Sequence, residues 1–172
     1  MSRLLLPILF GALFIVESLF VQYTPADLFG DGKVSSPHFL LAGIIFLSVF
    51  GSKKHGIIYG FVFGALFDIV YTEILGVYLF LFPLTAYFAS KTMRVIHANL
   101  FTASGVSLIA IALVEIAVYW INLLINVTDL SFVNYLEIRF YPTILLNLAF
   151  VILAAFPLKW QFEKFAEELG ND

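Results

Sequence analysis

Six apolar runs fill almost the whole of this sequence, and their recurrence constrains the fold more than any single motif does. They occupy residues 4–21, 37–50, 56–71, 77–90, 101–125 and 141–158. A helix that crosses a bilayer needs about 20 mainly apolar residues. The 172 residues therefore have room for about six or seven such helices with short connections, and for no separate water-soluble domain. Composition points the same way. Only 12% of the residues are charged and 62% are hydrophobic, whereas an ordinary soluble domain carries about 25% charge. The expected fold is an all-α integral membrane protein, a single domain of six transmembrane helices over residues 1–172.

The first run follows Arg3, is interrupted by Glu17 and leads into the polar stretch QYTPADLFGDGKVSS. No small-residue cleavage pattern follows it and further spans come later, so a retained helix is expected rather than a signal peptide. The second run is short. Even with Pro37 and His38 it covers only about 21 Å at 1.5 Å per residue. A continuous helix over 56–90 would be about 50 Å long, too long for one bilayer, so 72–76 is expected to be a turn. Residues 126–140 mix polar and apolar side chains and suit an outer interfacial segment, with Phe132, Tyr135 and Leu136 within reach of an extracytoplasmic partner. In 159–172, Trp160, Phe162, Phe165 and Leu169 alternate with charges, the pattern of an amphipathic cytoplasmic tail on the membrane surface or of a solvated, frayed end.

Charge sets the expected orientation. With six spans and a cytoplasmic N-terminus, Arg3, Lys53, Lys54, Lys91, Arg94, Lys159 and Lys164 fall inside, and only Lys33 and Arg139 fall outside. This is the positive-inside asymmetry of a multi-pass protein of a cytoplasmic membrane, with both termini cytoplasmic. A net charge of −3 with thinly spread cations argues against a nucleic-acid partner. The absence of cysteine removes disulfides, thiolate nucleophiles and cysteine metal sites. No HExxH, GxSxG or phosphate-binding loop occurs, so no enzymatic activity, metal or cofactor is expected.

Three acids lie within the runs. Counted from the start of their spans, Glu17, Asp68 and Glu115 lie about 20, 18 and 21 Å along, which in this topology is one depth in the outer half of the bilayer. A charge at the centre of a span costs about 2.5–3.5 kcal/mol on insertion scales. The acids are therefore expected to share one polar cluster, with Arg139 as its cation and Tyr119, Asn122 and Asn147 as neutral partners. The plainer alternative is that they only pin helices together. Gly56, Gly60 and Gly64 recur at every fourth position ahead of Asp68, a stripe that admits close approach of another backbone.

The segment YGFVFGALFDIVYTEILGVYLF, residues 59–80, resembles the hallmark of the MreD family of bacterial rod-shape-determining proteins, through Gly60, Gly64, Asp68, Leu75 and Gly76. RFYPTILLN, residues 139–147, is similar to that family's last-helix signature, through Arg139, Pro142, Thr143 and Asn147. The Glu17-Ser18 pair and SKTMRVIHAN also look similar. The resemblance implies a non-enzymatic scaffold of the cell-elongation machinery that binds MreC and helps position peptidoglycan synthesis. MreB, RodA and its transpeptidase would belong to the wider complex, with room for a homo-oligomer within it. It also implies a six-helix architecture resembling the membrane substrate-binding subunits of energy-coupling-factor transporters. The alternative function is accordingly a vitamin-like small-molecule-binding subunit of a transporter.

Overall fold

The computed structural model describes residues 2–23, 29–30, 32–72 and 74–170, with side chains from Leu5 onward. Arg3, one of the cations used to orient the chain, thus has its side chain outside the described residues. All regular structure among the described residues is helical. Helix α1 is Ser2–Tyr23 and α2 is Phe39–Gly51, whose last turn, Leu47–Gly51, is π-helical. Helix α3 is Lys53–Tyr71, α4 is Val77–Val95 and α5 is Leu100–Leu124. Helix α6 runs from Phe132 to Gly170 and includes a π-helical turn at Leu136–Phe140. Three of these, α1, α5 and α6, are long and apolar enough to cross a membrane.

Side-chain contacts show that neighbouring helices alternate in direction. Phe10 of α1 stacks near Phe162 of α6 at one end of the bundle, where Lys53 of α3 also lies 4.2 Å from the Tyr87 ring of α4. At the other end Phe20 of α1 meets Phe39 of α2, and Phe39 stacks on Phe150 of α6 with ring centroids 4.2 Å apart. Glu17, Asp68 and Glu115 belong to this second end, called here the acidic end.

The short second run has a structural explanation. Helix α2 is in contact with each of the other helices, and every residue of Phe39–Phe46 is buried. A helix that is apolar all round belongs in the middle of the protein. Leu40, Leu41, Ile44, Ile45, Phe46 and Leu47 are completely enclosed, so this short helix has protein on every side.

The glycine stripe joins α3 to α2 and α4. A methyl group on Gly56 would collide with Ser48 of α2, and one on Gly64 with the Tyr78 carbonyl of α4. On Gly60 it would lie 2.9 Å from the backbone of Pro83. Such contacts let backbones approach closely and gain dispersion energy along the whole interface. Gly76, at the start of α4, has φ +116°, a left-handed conformation open to glycine and strained for other residues. The α3–α4 turn expected at 72–76 thus depends on glycine in two ways, for proximity and for backbone conformation.

Two segments read separately in the sequence are continuous with helix α6. The interfacial stretch enters it at Phe132, and the tail continues it to Gly170. Phe162 and Phe165 are buried, the first beside Phe10 and the second edge-on to His55 at 5.2 Å. Apolar contacts with α1, α2 and α3 therefore hold residues that the sequence placed on a surface helix.

The bundle is apolar outside and partly polar inside. Ile152, Leu153 and Phe156 are 68%, 79% and 72% exposed, while Thr143 and Asn147 of the same helix are fully buried. Glu17, His38, Asp68 and Glu115 are each 1% exposed.

Candidate functional site

The acidic end is built from helix N-termini. A helix leaves its first N–H groups without partners inside the helix and carries a partial positive charge there. In an alternating bundle, the N-termini of α2, α4 and α6 therefore lie beside the distal parts of α1, α3 and α5. The three acids occur on those distal parts.

Asp68 serves α4. Its carboxylate accepts the backbone N–H groups of Gly76 at 2.8 Å, Tyr78 at 2.9 Å and Leu79 at 3.0 Å. The Thr72 hydroxyl, which donates to the Asp68 carbonyl at 2.9 Å, tightens the same turn. Asp68 thus acts as a cap supplied by the preceding helix, and the close packing of Gly60 and Gly64 brings it within reach. Leu75, at the turn, is 74% exposed.

Helix α2 is capped from two sides. Glu17 Oε2 accepts the Leu40 N–H at 2.8 Å, and Asn147 Oδ1 accepts the His38 N–H at 2.7 Å. The Asn147 amide also donates to the carbonyls of Ser36 and Thr143 at 2.9 and 2.8 Å, and the Ser36 N–H donates to Thr143 Oγ1 at 3.0 Å. Together Thr143, directly after the buried Pro142, and Asn147, one turn later, tie the segment entering α2 to α6.

Glu115 makes the third arrangement. Arg139 Nε donates to Glu115 Oε2 at 3.1 Å, and His38 Nε2 lies 2.7 Å from Oε1. The Tyr135 hydroxyl donates to the Glu115 carbonyl at 2.9 Å and lies 3.1 Å from Oε2. Arg139 keeps part of its surface exposed, whereas Glu115 and His38 are enclosed. Burying a carboxylate is tolerable only when its partners are in place; here α2, α5 and α6 each provide part of the set.

Tyr119, Asn122 and Arg139 line a cavity of about 140 Å³ that Glu115 also borders. Two more cavities, of about 250 and 160 Å³, also have Arg139 in their walls. The Tyr119 hydroxyl is directed away from the acids and donates to the Leu130 carbonyl at 2.9 Å, while its ring stacks on Tyr135 at 4.3 Å. The Asn122 carbonyl accepts the N–H of Val127 at 2.9 Å and so closes the α5 terminus.

The structure thus gathers the sequence-selected residues at one end but divides them among three hydrogen-bonded sets. Among the described acids, Arg139 pairs with Glu115, while Glu17 and Asp68 are met by backbone N–H groups. Tyr135, expected on the outer rim, is 3% exposed and points inward. His38 is the residue the sequence reading missed. Its signal was its position, a lone histidine directly before a wholly apolar run that starts at the depth of the acids.

The chain matches the family model "rod shape-determining protein MreD" over residues 2–165. It is 38% identical over 172 residues to the rod shape-determining protein MreD of Bacillus subtilis, covering 100% of both chains. It is 26% identical over 128 residues to the cell shape-determining protein MreD of Streptococcus pneumoniae, covering 74% of this chain and 76% of that one. No solved structure matches it. The family model and the full-length relative each cover nearly the whole sequence, and the chain belongs to the MreD family of rod shape-determining proteins.

Proposed function

We propose that this protein is a multi-pass scaffold of the bacterial cytoplasmic membrane, with both termini in the cytoplasm, that binds MreC and helps position peptidoglycan synthesis during elongation. MreB, RodA and its transpeptidase belong to the wider assembly. The observation that carries this reading is the inside-out distribution of polarity, with an apolar perimeter around buried acids. Lipid is the solvent that favours such a perimeter. The orientation draws support from Lys53, Lys54, Lys91, Arg94, Lys159 and Lys164, which lie toward the end opposite the acids and satisfy the positive-inside rule there.

In this reading the three hydrogen-bonded sets give the acidic end a fixed shape, and the helix faces together with a rim of exposed Trp120, Phe132 and Val133 receive the partner. Asp68→Asn and Arg139→Gln test it in cells. Each variant is expected to reach the membrane at the wild-type level while retaining less MreC on co-purification and disturbing rod shape. Wild-type MreC recovery and wild-type shape in both variants would refute the proposal.

A further inference from the structure

The guanidinium of Arg139 has two usable edges, and Glu115 occupies one of them. Arg139 Nε donates to Glu115 Oε2 at 3.1 Å and Nη2 to Oε1 at 3.5 Å. The other edge, Nη1 with the second hydrogen of Nη2, meets no acceptor among the described residues. Nη1 is not among the atoms sealed from solvent, and the side chain as a whole is 38% exposed. Arginine carries five N–H donors, offers no acceptor and keeps its proton in proteins. This edge is therefore a positively charged pair of donors whatever the protonation of the acids and the histidine around it.

Two more unused donors share a cavity with it. Arg139, Tyr78 and Asn122 line a space of about 250 Å³. Tyr78 is 5% exposed, yet its hydroxyl has no partner among the described residues and is likewise open rather than sealed. Asp68 holds the Tyr78 backbone and leaves the hydroxyl free. The Asn122 side-chain amide is unpartnered too, since it is the backbone carbonyl of Asn122 that takes up the N–H groups of Val127 and Thr128. A hydroxyl on a buried residue that finds no partner inside the protein calls for one in the adjoining space. Among the described lining residues Arg139 is the only charged one, and Val77, Val118 and Val127 supply apolar wall.

We infer that this cavity binds a phosphate ester, whose oxygens accept from the free edge of Arg139, the Tyr78 hydroxyl and the Asn122 amide. A guanidinium edge matches a pair of phosphate oxygens. The remaining donors come from α4 and α5, on other sides of the cavity, which suits a tetrahedral group better than a planar one. A neutral ester has the oxygens without the charge, and chloride has the charge without paired oxygens. The volume is that of about eight water-sized groups, enough for a phosphate with short ester arms. Ile74 and Val127, both exposed, form the side from which it enters. A soluble phosphate ester and the phosphodiester of a lipid head group present the same chemistry.

The test uses the full chain in dodecyl maltoside micelles, a detergent without phosphate. Sodium dimethyl phosphate is titrated alongside sodium chloride at equal ionic strength and alongside neutral trimethyl phosphate, with Tm and calorimetric heat as readouts. A saturable rise in Tm is expected with dimethyl phosphate, at an apparent affinity at least tenfold above that for either of the others. Tyr78→Phe breaks no hydrogen bond within the protein, so it should leave the initial Tm unchanged while weakening dimethyl phosphate binding about tenfold, the loss of one hydrogen bond to a charged group. Val127→Trp, at the exposed side, should weaken it as well. Phosphatidylglycerol added to the micelles, compared with a galactolipid that has no phosphate, separates the two sources. A lipid head group in the site raises the initial Tm of the wild type more than that of the variants and abolishes the response to dimethyl phosphate, whereas a soluble ester titrates equally with either lipid. No partner is present in this assay, so its outcome is independent of MreC recovery. Equal responses to the three solutes would overturn the inference, as would effects of equal size in the wild type and both variants. No saturable response together with equal initial Tm in the two lipids would overturn it too, leaving a cavity that takes water only.

Discussion

Removing the carboxylate of Asp68 should detach the start of α4 from α3, and the structure allows the effect to be sized. Replacing an ordinary N-cap by alanine costs about 0.5–2 kcal/mol, because water takes over the single freed donor. Asp68 holds three donors, and the Tyr78 N–H is buried. A buried donor left without a partner costs about 1–3 kcal/mol. Allowing the part-buried Gly76 and Leu79 N–H groups to recruit water, Asp68→Ala is expected to lose about 3–4 kcal/mol. Asp68→Asn keeps one acceptor oxygen and gives up the charge that complements the α4 terminus, for an expected loss of about 1–2 kcal/mol. Reversible unfolding in mixed micelles with increasing dodecyl sulfate measures both. The expected order is wild type above Asn above Ala. An asparagine variant as unstable as the alanine variant, or both variants within about 0.5 kcal/mol of wild type, would refute the capping role.

The same assay checks three further expectations. Gly64→Ala must push the α4 backbone away and should cost about 1–3 kcal/mol, whereas Gly105→Ala, with nothing within 4 Å of the added methyl, should stay within about 0.5 kcal/mol of wild type. Glu115→Gln leaves Arg139, part of which stays exposed, without its charge partner and should cost about 1.5–3 kcal/mol, with Arg139→Gln in the same background adding much less than it does alone. Additive losses in that double-mutant cycle would show that the pair is not coupled. Tyr135→Phe removes one hydroxyl bonded to the Glu115 carbonyl and should cost about 0.5–1.5 kcal/mol.

Much of this architecture was legible in the spacing of apolar and polar residues. The apolar runs, the turn between α3 and α4 and the common depth of Glu17, Asp68 and Glu115 all follow from span length and rise per residue. The partners of the acids were not legible. Depth along a helix says nothing about which face a side chain occupies, and a pattern of side chains does not display backbone N–H groups, which are the main partners of Glu17 and Asp68. Arg139 drew attention because it was a scarce cation at the right depth, and it does meet Glu115. Tyr119 was read as a partner of the acids and Tyr135 as part of an outer interfacial segment; the hydroxyl of each instead fastens a carbonyl, of Leu130 and Glu115 respectively. The continuity of α6 through Phe162 and Phe165 was hidden because an amphipathic pattern cannot distinguish a membrane surface from a neighbouring helix as the cover for its apolar face.

The enclosure of α2 bears on the order in which the protein comes into being. Its first N–H groups are met by Glu17, already synthesised, and by Asn147, which leaves the ribosome about a hundred residues later, a delay of several seconds at usual elongation rates. Until then the central helix has no complete sheath and one open end. The early helices therefore wait on the last one, and an alteration confined to the C-terminal third should be felt as a folding defect at residue 38.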